Sequence, residues 1–224
     1  KRGVTATFIK VSEEKAISLS GEQVVFSISP TVKEIMNGFF LWSDNLLSDR
    51  MARLAAKASG NEFNDKGVAI TFATQLIELG IDPSKIIIKD ASGLSRENKV
   101  TANVLAQLLY KVRLDPLLAT LIEGLPVSGE TGTLQRRYIE TAPDAVGLVK
   151  AKTGTLTGTV SLAGYVQSGE REYAFVVIAD KIKRTNSASE KARKTLDRYL
   201  AKIAAPLLTA VVDTATVVTD SKTP

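Results

Sequence analysis

Three features of the 224-residue sequence predict a mixed α/β (α+β) domain in which helices cover an antiparallel sheet. Apolar residues recur at three- and four-residue spacing through the first two thirds of the chain. Three short alternating runs with tight links follow between residues 148 and 179, and one further helical pattern comes after them. Strands in such close succession pair as a meander, because parallel neighbours need a crossover of a dozen residues or more.

The chain opens with two β-rich runs, Val4-Thr5-Ala6-Thr7-Phe8-Ile9-Lys10-Val11 and Gln23-Val24-Val25-Phe26-Ser27, on either side of a charged connection containing Gly21. They predict a short strand pair. Pro30 then introduces a helix whose Val32, Ile35, Met36, Phe39 and Phe40 share a face expected to be buried. The polar triplet Ser43-Asp44-Asn45 interrupts that pattern, which resumes with Leu46, Leu47, Met51, Leu54 and Ala55, so a break or cap is expected between two helices. Residues 65–79 read as another helix, stopped by Gly80 and Pro83. Ile86-Ile87-Ile88 is a short strand or extended link delivering a polar loop at residues 90–96. Thr101 caps a helix carrying Val104, Leu105, Leu108, Leu109 and Val112, and a short helix is expected over 116–122. Gly129, Gly132 and Pro143 break periodicity in residues 126–147, which predicts an extended loop with one helical turn at 134–138. The strand runs are 148–153, 159–166 and 173–179. Asn186-Ser187 caps a last helix that turns Ala192, Leu196, Leu200, Ile203 and Leu207 toward the sheet. The expected organisation is an appendage at 1–28, a main domain at 29–208 and a disordered tail at 209–224.

Composition removes several chemistries. Without cysteine there is no disulfide, thiolate nucleophile or cysteine-bound zinc. Without histidine there is no Ser-His-Asp relay, so a serine enzyme must take its proton-transfer partner from lysine or a carboxylate. No metal or other cofactor is expected. The formal charge of +5 is spread among interspersed charges of both signs, and the cluster Lys181, Lys183, Arg184, Lys191, Arg193 and Lys194 reads as a solvated face rather than a nucleic-acid site. Apolar stretches are interrupted well short of the roughly 20 residues a membrane span needs. The start at Lys1-Arg2-Gly3 carries no apolar leader, so a signal peptide is expected to have been removed or to lie upstream.

Two triplets carry chemistry. Lys152-Thr153-Gly154, followed by Thr155-Leu156-Thr157-Gly158, is expected to close the first strand of the meander. Gly154 lets a substrate backbone approach, an edge strand can pair with an extended peptide, and Lys152 adds positive potential there. The hydroxyls of Thr153 and Thr155 can hold a terminal carboxylate. Upstream, the Ser43 hydroxyl near the Lys152 ammonium could pass a proton to a leaving amine. Asn45 offers donor and acceptor to hold a substrate carbonyl or to orient the lysine, while Asp44, in the same substrate-facing triplet, is expected to stabilise the loop. Ser43 and Lys152 are therefore expected to converge on one groove. Gly129-Glu130-Thr131-Gly132-Thr133 lacks the Gly-Lys-Ser/Thr ending of a phosphate loop and is set aside.

Four stretches occur in one order: Trp42-Ser43-Asp44-Asn45-Leu46-Leu47; Asp90-Ala91-Ser92-Gly93-Leu94-Ser95-Arg96; Leu125-Pro126-Val127-Ser128-Gly129 with Gly132-Thr133-Leu134; and Lys150-Ala151-Lys152-Thr153-Gly154-Thr155-Leu156-Thr157-Gly158. On these the chain resembles the later part of the D-alanyl-D-alanine carboxypeptidase/endopeptidases, the class C low-molecular-weight penicillin-binding proteins of the DacB type. The resemblance implies a β-lactamase/transpeptidase-like fold. It implies a Ser-x-x-Lys serine that attacks the D-Ala-D-Ala amide and forms an acyl-enzyme, which water then releases. It also implies peptidoglycan stem peptides as substrate, β-lactams as inhibitors, and a location outside the cytoplasmic membrane. Catalytic roles fall on Ser43, Asn45 and Lys152, and carboxylate binding on Thr153 and Thr155. The Thr155 N–H would form half of an oxyanion hole. Leu94 and Arg96, with Leu156 and Thr157, would line the pocket for the stem-peptide side chain, Arg96 pairing with a carboxylate there.

The chain departs from that family at the nucleophile. Only Ser12-Glu13-Glu14-Lys15 fits Ser-x-x-Lys, and it lies in the charged connection, whereas the family's serine opens a buried helix. The serine is therefore expected on an N-terminal segment outside this sequence or on a separate chain, with residues 1–28 the end of an inserted domain. Two alternatives stand beside this. A β-lactamase shares the triplets, but its Glu-x-x-Leu-Asn and Tyr-x-Asn signatures are absent; a non-catalytic peptidoglycan-binding scaffold would keep the cleft without the serine.

Overall fold

Side-chain caps set most of the helix boundaries. The structure is a computed structural model that describes residues 9–19, 21 and 27–206. The chain divides into two compact units, Lys1–Thr31 and Val32–Pro224. Most of the strand pair expected at the start falls outside the described residues, and the tail at 209–224 does so entirely.

In the first unit the charged connection is a helix, α1 (Glu13–Leu19), rather than a plain link between strands. Ser12 accepts from Lys15 N at 3.4 Å, and Glu13 and Glu14 place negative charge on the first turn, where the helix dipole favours it.

The second unit begins with α2 (Val32–Trp42) and α3 (Asn45–Ala58), split where Asp44 caps α3 by accepting from Leu47 N at 2.9 Å. Asn64 caps α4 (Asp65–Glu78), and Gly80, at φ 72°, turns the chain out of it. An isolated bridge joins Ile87 to Lys99 around the 90–96 loop. Thr101 caps α5 (Ala102–Leu114), as its sequence position predicts. Asp115 caps α6 (Pro116–Ala119), which tightens into a 3-10 turn over Thr120–Gly124. The long loop holds 3-10 turns at Gly132–Leu134 and Pro143–Ala145 instead of one turn at 134–138.

The three-stranded sheet is the expected meander in the order β1 (Val149–Leu156), β2 (Thr159–Ser168), β3 (Arg171–Ala179), antiparallel throughout. Lys152 lies opposite Ala163 and Gly154 opposite Ser161, so β1 runs on to Leu156 and the Lys-Thr-Gly triplet sits inside the strand rather than at its end. The final helix α7 (Asn186–Ala204) is capped by Thr185, which accepts from Ala188 N at 3.2 Å, one residue before the expected cap.

Helices cover both faces of the sheet. On one face Leu196, Leu200 and Ala204 of α7 pack with Val149, Ala151, Val160, Leu162 and Val166 in the main core. Gly164 belongs to this contact: a side chain there would collide with the Lys150 carbonyl and Ala151 of the neighbouring strand. On the other face Tyr165 donates to the Leu109 carbonyl of α5 at 2.7 Å, and burial pushes its pKa up to about 12. Two smaller clusters, Ala52-Ala56-Val68 and Leu76-Ile81-Val104, join the helices to one another. Here the expected faces are corrected. On α3 the buried residues are Ala52 and Ala56, small enough for α4 to approach, while Leu46 is 83% exposed; on α2 Phe39 is buried but Val32 is not.

Candidate active site

The site begins with a strained residue. Ser43, between α2 and α3, holds φ at 60°, a region non-glycine residues seldom occupy. Its place is fixed on both sides: Asp44 N donates to the Phe39 carbonyl at 3.2 Å, and the Asp44 carboxylate caps α3. The side chain of Lys152, on β1, reaches this turn. Its Nζ donates to Ser43 Oγ at 2.5 Å and to the Thr153 carbonyl at 2.9 Å. Burial pulls the Lys152 pKa below the ordinary lysine value, and among the described residues no carboxylate pairs with it. A hydroxyl and an ammonium 109 residues apart in sequence thus share a short hydrogen bond.

The rest of β1 builds a peptide-sized edge. Val127 bridges Lys150, and Ala151 N donates to the Pro126 carbonyl at 2.9 Å; beyond Ala151, no strand among the described residues pairs with that outer edge. Thr153 Oγ1 meets Thr133 Oγ1 at 2.8 Å, which ties the strand to the 3-10 turn of the long loop. At Gly154 a side chain would meet Ser161 Oγ of the paired strand β2, so a glycine fits the β1–β2 contact at this position. Thr155 is exposed, and its Oγ1 accepts from Arg193 Nη2 of α7 at 3.4 Å.

The loop at 90–96 closes one end. Asp90 accepts from Gly93 N at 2.7 Å, Ser95 N at 2.6 Å and Asn98 Nδ2 at 2.9 Å. Burial alone would raise its pKa, but these hydrogen bonds prevail and hold the carboxyl below the usual value. Asp49 of α3 accepts from Ala91 N and Ser92 N, both at 2.9 Å. At the far end of the loop Arg96 donates to the Thr157 carbonyl at 3.1 Å, joining it to the β1–β2 turn, and Leu94 is 55% exposed.

Of the residues singled out from sequence, the structure brings Ser43 to Lys152 and Arg96 to Thr157. Asn45 is exposed at the first position of α3 and Asp44 is engaged in its cap, while both side-chain bonds of Lys152 go elsewhere, to Ser43 and Thr153. Gly154, Leu156 and Thr157 lie along β1 and its turn. Sequence reasoning missed Asp49, Thr133 and Arg193. Asp49 follows Asn45 by four residues, one helical turn, which is the signal that could have found it. A cleft of about 630 Å³, lined in part by Thr155, Leu156, Thr157, Arg184, Glu190 and Arg193, opens between the end of β1 and the start of α7. Ser43 and Lys152 do not line it, and Thr155 is the link along the strand between it and Lys152.

A Ser-x-Asn turn between two helices, bonded to the lysine of a Lys-Thr-Gly edge strand with a terminal helix behind the sheet, defines a domain of the penicillin-binding, transpeptidase-like class. The chain belongs to the D-Ala-D-Ala carboxypeptidase 3 (S13) family, which matches residues 2–203. It is similar to the carboxypeptidase DacB of Mycolicibacterium smegmatis, 37% identical over 165 residues covering 71% of this chain and 34% of that protein. It is also similar to a D-alanyl-D-alanine carboxypeptidase of an Actinomadura species, 35% identical over 156 residues covering 67% of this chain and 28% of the other. Among solved structures, penicillin binding protein 4 (dacB) from Haemophilus influenzae superposes with a TM-score of 0.67 at 26% identity, covering 75% of this chain and 38% of that one. The chain thus spans about a third of the length of the relatives it matches. No helix of the described residues is long and apolar enough to cross a membrane.

Proposed function

We propose that this chain forms the later part of the catalytic domain of a serine D-alanyl-D-alanine carboxypeptidase/endopeptidase acting on peptidoglycan stem peptides. The nucleophilic serine comes from a Ser-x-x-Lys segment outside this sequence or on a separate chain. Residues 1–28 are then the end of an inserted domain, and the catalytic domain resumes at 29. The observation that carries this reading is the 2.5 Å hydrogen bond from Lys152 to Ser43 beside an unpaired strand edge.

The chemistry follows from that arrangement. A peptide ending in D-Ala-D-Ala adds to the outer edge of β1 as an extended strand, its terminal carboxylate against Thr153 and Thr155 and its side chain toward Leu94, Arg96, Leu156 and Thr157. The serine oxygen, its proton taken by the lysine of the same Ser-x-x-Lys segment, attacks the penultimate carbonyl carbon while the Thr155 N–H stabilises the developing oxyanion. As the C–N bond breaks, Ser43 gives its proton to the leaving amine and is reprotonated by Lys152, whose lowered pKa eases that transfer. Asn45 holds the substrate carbonyl, and water releases the acyl group. A β-lactam follows the same route and stays bound at the ester stage. A form of H. influenzae penicillin binding protein 4 complexed with a β-lactam is similar in fold and 27% identical, which supports β-lactams as inhibitors here. The substrate puts the protein outside the cytoplasmic membrane, at the cell surface or in a periplasm.

The test is intact-mass measurement after incubation with labelled penicillin, for this chain alone and together with the segment that carries Ser-x-x-Lys. A stable adduct only with that segment is the expected result. Rapid turnover of penicillin would make the protein a β-lactamase. The absence of any adduct in either sample would make it a scaffold.

A further inference from the structure

We propose that Arg193 is a specificity-determining residue that recognises the substrate's free C-terminal carboxylate together with Thr155; the inference rests on the peptidase reading above. Side chains alternate along a strand, so Thr153 and Thr155 share the α7-facing side with buried Val149 and Ala151, while Lys152 projects from the other side. Thr153 Oγ1 is tied to Thr133, while the exposed Thr155 hydroxyl on this unpaired edge can donate to a carboxylate, yet a hydroxyl alone supplies no charge. Arg193 supplies it. Its Nη2 lies 3.4 Å from Thr155 Oγ1, and its side chain is 35% exposed, open to the cleft at the end of β1.

The partners of Arg193 leave it room for a ligand. A guanidinium carries five N–H donors in a planar fork that matches a carboxylate. Its only carboxylate neighbour among the described residues is Glu190 at 3.6 Å, one turn back on α7 and itself half-exposed and shared with Lys194 at 3.7 Å. Glu190 is thus a loose counter-charge that an incoming carboxylate can replace. This differs from the buried pair that Asp197 of the same helix forms with Arg137 of the long loop, whose acceptor is 3% exposed.

The experiment uses the full protein with its nucleophile-bearing segment and two synthetic peptides, one ending in D-Ala-D-Ala and the other its C-terminal carboxamide. Arg193→Gln is expected to lower kcat/KM for the acid by about 10- to 100-fold, the loss of a charge-assisted hydrogen bond, with a loss on the carboxamide at least several-fold smaller. Arg193→Lys recovers part of the preference, and Glu190→Gln increases it. Equal losses on both peptides, or none, overturn the proposal. If the wild-type protein cleaves neither peptide, the peptidase reading fails instead. NMR titration of this chain with D-Ala-D-Ala then decides the matter: shifts at Thr155 that vanish in Arg193→Gln support carboxylate recognition, and their absence overturns it.

Discussion

The side of the domain built on β1, β2 and α7 and the side built on α2 and α3 treat their apolar residues in opposite ways. On the first, Val149, Ala151, Leu162 and Leu200 are fully buried against one another. On the second, Val32, Trp42, Leu46 and Leu54 are 60%, 59%, 83% and 44% exposed. One side completes its own core; the other leaves large apolar groups in water along α2 and α3, with Trp42 and Leu46 flanking the strained Ser43. Single exposed leucines are ordinary, but Trp42 and Leu46, exposed on two adjoining helices on either side of Ser43, offer apolar surface of the kind expected where another segment packs. This supports the proposal that a Ser-x-x-Lys segment docks there and brings the nucleophile with it.

The sharpest way to break the comparison is to remove the reacting pair. In the full protein, Ser43→Ala and Lys152→Ala are each expected to reduce penicillin acylation or peptide cleavage by about 10²- to 10⁴-fold, the range for a lost proton-transfer group. The denaturant midpoint of Ser43→Ala should move little, because the cap of α3 belongs to Asp44. A variant that keeps its acylation rate would return both residues to a purely structural role.

Next in size is the buried ion pair of the covered side. Arg137 Nη2 meets Asp197 Oδ1 at 2.5 Å, the side chains 15% and 3% exposed. Burial raises the Asp197 pKa and Arg137 pulls it back only in part. Arg137→Met leaves a carboxylate stranded and should cost about 3–5 kcal/mol in urea unfolding. A cost below about 1 kcal/mol would show that this pair is not what locks α7 to the long loop.

A paired substitution then tests the two sides directly. Leu200→Ala, in the covered core, should cost about 2–5 kcal/mol in any form of the protein. Leu46→Ser should stay within about 0.5 kcal/mol in this chain alone, since the residue is already in water. With the nucleophile-bearing segment present, the same change should cost about 1–2 kcal/mol, because a covered leucine is lost. Equal effects of Leu46→Ser in both forms would mean that nothing packs on α3.

Much of this was legible in the chain itself, and the exceptions have physical causes. Thr101 and Asp44 act as caps because their side chains satisfy orphan N–H groups within three residues, a purely local rule. The meander was readable because period-two alternation and short links leave one pairing. The buried face of α3 was misread because the pattern weights leucine over alanine, whereas close approach of α4 selects Ala52 and Ala56. The first strand was expected to close at the Lys-Thr-Gly triplet, whereas pairing with β2 carries it through Gly154, opposite Ser161, to Leu156. At the site, the two triplets stood out by composition, but their 2.5 Å contact spans 109 residues and no local pattern encodes it. Arg193 was read as one charge in a basic run, since only the tertiary fold puts it beside Thr155.

The smallest expected effect concerns the pH dependence that Lys152 confers. Burial depresses its pKa from the ordinary value of 10.5, so between its folded and unfolded pKa values the unfolded chain binds more protons than the folded one. Stability from this residue therefore rises with pH through that window. Below the folded pKa both forms are protonated, and the full penalty of holding an ammonium out of water remains. Lys152→Met removes the penalty. At pH 7 the variant should unfold at an equal or higher denaturant midpoint than the wild type, and the gap should close as pH approaches 10.5. Urea midpoints of both proteins from pH 7 to 10.5 check this. A gap that opens with rising pH would mean that hydrogen bonds to Ser43 and Thr153 stabilise the ammonium more than burial opposes it, making Lys152 a structural anchor rather than a poised proton donor.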